Sequence, residues 1–142
     1  MIFPDLNTII HSYNSESPNH DRARKWWEKL MNDPAPVGLA WVVMLGFIRI
    51  TTNRKILKRP LTAASACNHV RSWLAQPQVA ILHPGDRHPD ILFALLEKLG
   101  TAGNLTTDAH LAALAIEYQA ELHTTDRDFG RFSGLRWVNP FE

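Results

Sequence analysis

Four acidic residues, Asp5, Asp108, Asp126 and Asp128, have both the type and the placement to do chemistry. Asp5 closes the apolar opening Ile2-Phe3-Pro4, Asp108 stands where a helix should begin, and Asp126 and Asp128 follow the apolar-centred stretch 121–124. Carboxylates delivered by well-separated segments suit a hard divalent cation. Mg²⁺ and Mn²⁺ favour oxygen ligands, and Mg²⁺ keeps several waters while taking one or two carboxylates directly. Such a centre activates water and steadies charge growing on phosphorus, so phosphodiester hydrolysis is the reaction it would serve. Each aspartate also has a plainer reading, Asp108 as a helix cap and Asp126 with Asp128 as shapers of a turn.

Other chemistries lack their residues. The chain has no paired-cysteine motif, no His-Glu-x-x-His, no Gly-x-Ser-x-Gly and no phosphate-binding Gly-x-x-x-x-Gly-Lys-Ser/Thr loop. Its seven histidines show no ligand spacing, and His110, two residues past Asp108, reads as a polar surface or outer-sphere residue. The single cysteine, Cys67, has no intrachain partner and falls on an apolar helical stripe, so it reads as core in a reducing cytoplasm. No signal peptide is expected at the start and no membrane span anywhere. Fifteen Lys plus Arg against fourteen Asp plus Glu leave a formal charge of +1, which says little about partners. Distribution says more: five basic residues, Arg49, Arg54, Lys55, Lys58 and Arg59, fall in one stretch with no acidic residue among them. That is a field suited to phosphate, or else a solvated helix end and loop.

The elements that must position the aspartates follow from periodicity. Ile2-Phe3 reads as a short strand, 6–13 as a helix, and Ala23, Trp26, Trp27, Leu30 and Met31 as the apolar side of a second helix ended by Pro34 and Pro36. A strand is expected near 37–40, a buried helix over 41–50, and a helix after Thr62, its N-cap, with Ala63, Ala66, Cys67, Val70, Trp73 and Leu74 on one stripe. A buried strand at 79–82, a helix over 91–99 stopped by Gly100, a helix from Asp108 through Tyr118, and strands at 121–124 and 135–138 complete the chain. Strands alternating with helices predict one α/β domain over 1–142, with a mainly parallel sheet between helical layers. In such sheets, sites gather beyond the carboxyl ends of the strands, where Asp5 and Asp126 fall and Asp108 can join them.

These residues resemble the PIN-domain family, and within it the VapC-like toxins of type II toxin–antitoxin systems. The resemblance spans nearly the whole chain through Pro4-Asp5-Leu6-Asn7, Gly46-Phe47-Ile48-Arg49-Ile50-Thr51-Thr52-Asn53, the run from Leu105 to Ala115 that contains Thr107-Asp108-Ala109-His110, and Thr125-Asp126-Arg127-Asp128-Phe129. It implies a PIN fold, an endoribonuclease with a Mg²⁺ or Mn²⁺ site, an RNA substrate, a cognate antitoxin that blocks the site, and a homodimer. It assigns Asp5, Asp108 and Asp126 to the metal and catalytic centre, Asp128 as a further acidic member, and Asn7 and Thr125 as hydrogen-bonding support. Arg49, Arg54 and Lys55 are the candidates for RNA contact.

One position departs from the pattern. Many PIN domains carry Glu just before the Phe of the middle segment, where this chain has Gly46. A branch of VapC-like proteins resembles it through Gly-Phe-Ile-Arg, yet the site is left poorer in charge, with Glu16 or Asp21 as conceivable replacements. Two other readings therefore stand beside the nuclease: a non-catalytic PIN-like module that binds RNA or a partner, and a receiver-type phospho-acceptor. The receiver type needs a second carboxylate beside Asp5, and none is there.

Overall fold

The computed structural model describes residues 1–142. Ile2–Pro4 forms β1, followed by α1 (Leu6–Tyr13), α2 (His20–Asn32), β2 (Val37–Leu39), α3 (Trp41–Thr51), α4 (Ala63–Leu74), β3 (Val79–Ile81), α5 (His88–Leu99), α6 (Thr106–Glu117), β4 (Glu121–His123) and β5 (Trp137–Val138). Two 3-10 segments, Gly103–Leu105 and Arg127–Arg131, precede α6 and β5 respectively. The sheet order is β3-β2-β1-β4-β5, and every pair is parallel.

That order positions the site. The chain winds from β1 outward through β2 to β3, then crosses to the other side of β1 for β4 and β5. Between β1 and β4 the connections leave in opposite directions, which opens a crevice beyond the carboxyl ends of these two strands. Pro4 pairs with His123, and the amide of Asp5 donates to the His123 carbonyl at 2.9 Å. The residues after these strands therefore start side by side.

Aromatic packing fixes the helices that carry the crevice walls. Trp73 of α4 meets Trp27 of α2 at a ring separation of 5.1 Å and Phe47 of α3 at 4.6 Å, and Phe47 meets Tyr13 of α1 at 4.9 Å. Edge-to-face contacts of this kind lock side chains beyond what burial alone provides. Thr62 caps α4 by accepting from the Ser65 amide at 3.1 Å, and Gly100, with φ of 74°, ends α5 in the left-handed region.

Three expectations change. The apolar run 79–82 is not a buried strand: β3 is the sheet edge, Ala80 is exposed, and only Leu82 is buried. Helix α3 is buried on one side only, because Val43, Met44 and Phe47 point inward while Trp41 and Leu45 are exposed. Cys67 is half-buried at the margin of the α4 stripe, whose inner line is Ala66, Val70 and Trp73. No helix is long and apolar enough to cross a membrane.

Candidate acidic active site

Asp5, Asp108 and Asp126 line one cleft of about 300 Å³ together with Leu6, Asn7, Ile10, His11 and Ile50. Three elements deliver the carboxylates. Asp5 follows β1 and caps α1, its Oδ1 accepting from the Leu6 amide at 2.7 Å. Asp108 lies in the first turn of α6, where free N–H groups and the helix dipole favour negative charge. Asp126 follows β4 and caps the 3-10 segment, its Oδ1 accepting from the Asp128 amide at 2.9 Å.

The residue that binds these parts together is Thr124, which sequence reasoning passed over. Its buried hydroxyl donates to Asp5 Oδ2 at 2.8 Å and accepts from the Asp126 amide at 3.0 Å. Asn7 Nδ2 lies 3.5 Å from the Thr124 hydroxyl, and Asn7 Oδ1 accepts from the Thr125 amide at 3.4 Å. Asn7 thus ties the first turn of α1 to the segment after β4, whereas Thr125 takes part through its backbone. The sequence does not distinguish Thr124 from Thr125; the parallel register of β1 and β4 puts the first beside Asp5.

Repulsion marks the cleft. Burial raises the pKa of Asp108 first, and the charges of Asp5, Asp126 and Asp128 add to it, bringing the group to about 6. Asp5 is also raised, mainly by burial and then by Asp126, against the lowering effect of Thr124 and the Leu6 amide. Both shifts express a site that resists holding all its negative charge without a counter-ion. No three His, Cys, Asp or Glu side chains close into a cage able to hold a metal by themselves.

Other candidates lie further out. Asp128 is exposed outside the cleft lining and faces Arg131 at 3.5 Å. Arg49 is exposed next to Ile50, a lining residue, while Arg54 and Lys55 lie in the exposed turn after α3. His110 is not part of the cleft lining and meets His88, Nδ1 to Nε2, at 3.0 Å. Neither suggested replacement for Glu lines the cleft: Glu16 pairs with Lys58 at 3.4 Å, and Asp21 is exposed in the first turn of α2. A Cβ on Gly46 would stand 2.5 Å from Leu6 Cδ2, so Leu6 fills the space that a side chain at that position would use.

The PIN-domain family model matches residues 2–135. The chain belongs to the PIN-domain family. Within it, this PIN domain is 46% identical over 140 residues to Ribonuclease VapC33 of Mycobacterium tuberculosis, covering 99% of this chain and 98% of that protein. It is 40% identical over 136 residues to Ribonuclease VapC37 of the same organism, covering 96% and 94%. These identities over full length place this PIN domain in the VapC branch. Among solved structures it is similar to VapBC-1 of nontypeable Haemophilus influenzae, with a TM-score of 0.70, 19% identity and full coverage of both chains. VapBC2 of Rickettsia felis, bound to a DNA fragment from its promoter, gives 0.69 and 19%, covering 98% of each chain. At such identities the likeness is one of fold, and it is the PIN fold read from the sequence.

Proposed function

We propose that the protein is the toxin of a VapBC-type pair, an endoribonuclease that hydrolyses RNA phosphodiester bonds with a Mg²⁺ or Mn²⁺ ion held by Asp5, Asp108 and Asp126. The observation that carries the reading is the meeting of these three carboxylates, from three separate segments of the chain, in one open cleft. The donor set fits the ion. It is all oxygen and its carboxylates repel one another, and Mg²⁺ takes only one or two carboxylates directly while keeping several waters. The full-length relatives named as VapC ribonucleases support the same reaction.

When bound, the cation would supply Lewis-acid stabilisation of phosphoryl charge and a more acidic water. The chain's own residues do the rest. Thr124 and the Leu6 amide hold Asp5 in one orientation, Asn7 ties the start of α1 to the loop after β4, and Ile10 and Ile50 supply apolar lining to the cleft. Arg49, Arg54 and Lys55 have no acidic partner within 4.0 Å, which leaves them free for RNA phosphates. An antitoxin would restrain the site by placing an Arg between carboxylates, where a bidentate guanidinium relieves the repulsion that the ion otherwise relieves. A homodimer would cover Trp41 and Leu45, exposed four residues apart on α3.

The test is expression of the chain with and without the product of a neighbouring antitoxin gene, followed by mapping of new RNA 5′ ends. Growth arrest with discrete new ends, both suppressed by the partner, supports the proposal; arrest without new ends refutes it. A second reading, a non-catalytic RNA- or partner-binding module, draws on Leu6 filling the space at Gly46. Metal-dependent cleavage by the purified chain would remove it.

A further inference from the structure

A second cavity, of about 350 Å³, lies at the other end of α1, lined by Tyr13, Asn14, Glu16, Leu57, Lys58 and Arg59 among others. Asn7, Ile10, His11 and Asn14 are spaced i, i+3, i+4, i+7, so the acidic cleft and this cavity follow one face of the helix. The opposite wall is also shared. Ile50, at the end of α3, lines the cleft, and the segment that follows lines the cavity. That segment is ordered by its own hydrogen bonds: the Lys55 amide donates to Asn53 Oδ1 at 2.9 Å, the Leu57 amide to the Asn53 carbonyl at 3.0 Å, and the Leu61 amide to the Thr51 carbonyl at 2.7 Å.

We propose that this cavity is a phosphate-binding subsite for the RNA strand whose scissile bond lies in the acidic cleft, an inference that rests on the ribonuclease reading. Arg59 has no acidic partner, and the one partner of Lys58, Glu16, is an exposed contact of 3.4 Å that a phosphate can displace. From Asp5 to Asn14 is nine residues, about 13 Å along the axis at 1.5 Å per residue. That is about four nucleotides at the 3.4 Å rise of a stacked strand, and fewer if the strand is extended. The subsite therefore recognises a phosphate beyond the scissile step, and it favours single-stranded RNA longer than a dinucleotide.

The experiment measures binding of a labelled octanucleotide and a labelled dinucleotide RNA to the full chain carrying Asp108→Asn, with and without Lys58→Ala plus Arg59→Ala. The double change should weaken octanucleotide binding about tenfold, flatten its salt dependence by about 0.7 in log–log slope for each phosphate no longer neutralised, and leave the dinucleotide unaffected. Glu16→Gln should tighten octanucleotide binding. Both basic side chains are exposed, and an unchanged melting temperature checks that the fold is kept. Equal losses on both RNAs, or none on either, overturn the subsite; the second result would leave the cavity to an acidic protein segment. Cleavage of RNA by the unmodified chain is scored separately, so a failed nuclease reading appears as no cleavage, and a failed subsite as cleavage together with an effect of the double change that is the same, or absent, on both RNAs.

Discussion

Thr124 Oγ1 donates to Asp5 Oδ2 at 2.8 Å, joining the residue after β4 to the carboxylate after β1. One hydroxyl thereby sets the orientation of Asp5 and, by accepting from the Asp126 amide at 3.0 Å, the start of the loop that carries Asp126.

Thr124→Val keeps the shape and removes both interactions. Loss of a hydrogen bond that orients a metal-binding group typically costs about 10–100-fold in affinity or activity, and a buried group left unpaired costs about 1–3 kcal/mol of stability. Cleavage should fall by that factor with a lower melting temperature, and Thr124→Ser should restore most of it. Full activity in Thr124→Val would remove Thr124 from the site.

How much of this was legible in the sequence differs from residue to residue. Asp5 and Asp126 could be placed because a parallel sheet directs the residues after its inner strands to one edge, and Asp108 because a helix start was readable nearby, although α6 begins at Thr106 and puts Asp108 in its first turn, not at its start. The edge position of β3 was not readable, since Val79-Ala80-Ile81-Leu82 is as apolar as an inner strand and topology alone exposes it. Nor was the role of Thr124, because a threonine hydroxyl finds its partner across the sheet, 119 residues away. The contact of Leu6 with Gly46 depends on how α1 crosses α3, which periodicity does not encode.

Among the acidic residues the effects should be graded. Asp5→Asn and Asp108→Asn should reduce cleavage beyond the roughly 10–100-fold typical of an outer partner, and abolish growth arrest at equal soluble protein. Asp128→Asn should do less, because Asp128 lies outside the cleft lining and faces Arg131. Equal losses in all three would mean that Asp128 reaches the site in solution.

The raised pKa of Asp108 gives a pH dependence with a definite sign. Its folded value, about 6, exceeds its ordinary value of 3.8, so between these limits the folded, metal-free chain binds more protons than the unfolded one. This contribution to stability therefore falls as pH rises through the interval between these two values and levels off above it. In chelator, Asp108→Asn should raise the melting temperature more at pH 7.5 than at pH 4.5. Divalent cations compete with the same proton, so Mg²⁺ affinity should weaken as pH drops through about 6. A melting difference independent of pH would contradict the assignment.

Gly46→Glu should destabilise the chain. The added Cβ meets Leu6 Cδ2 at 2.5 Å, and overpacking of this kind costs about 1–3 kcal/mol. Leu6→Ala should recover part of the loss in the double variant, a coupling that denaturant titration of the four proteins would read. Additive effects would mean that α1 and α3 do not meet at these residues.

The most direct measurement is cleavage of one mapped RNA by the purified chain in Mg²⁺, Mn²⁺ or chelator, beside Asp108→Asn in the same buffers. The account predicts cuts at the mapped positions in either metal, none in chelator, and none from the variant. Cuts that persist in chelator, or a chain that binds RNA in every buffer and cleaves it in none, would contradict a cation-dependent acidic centre.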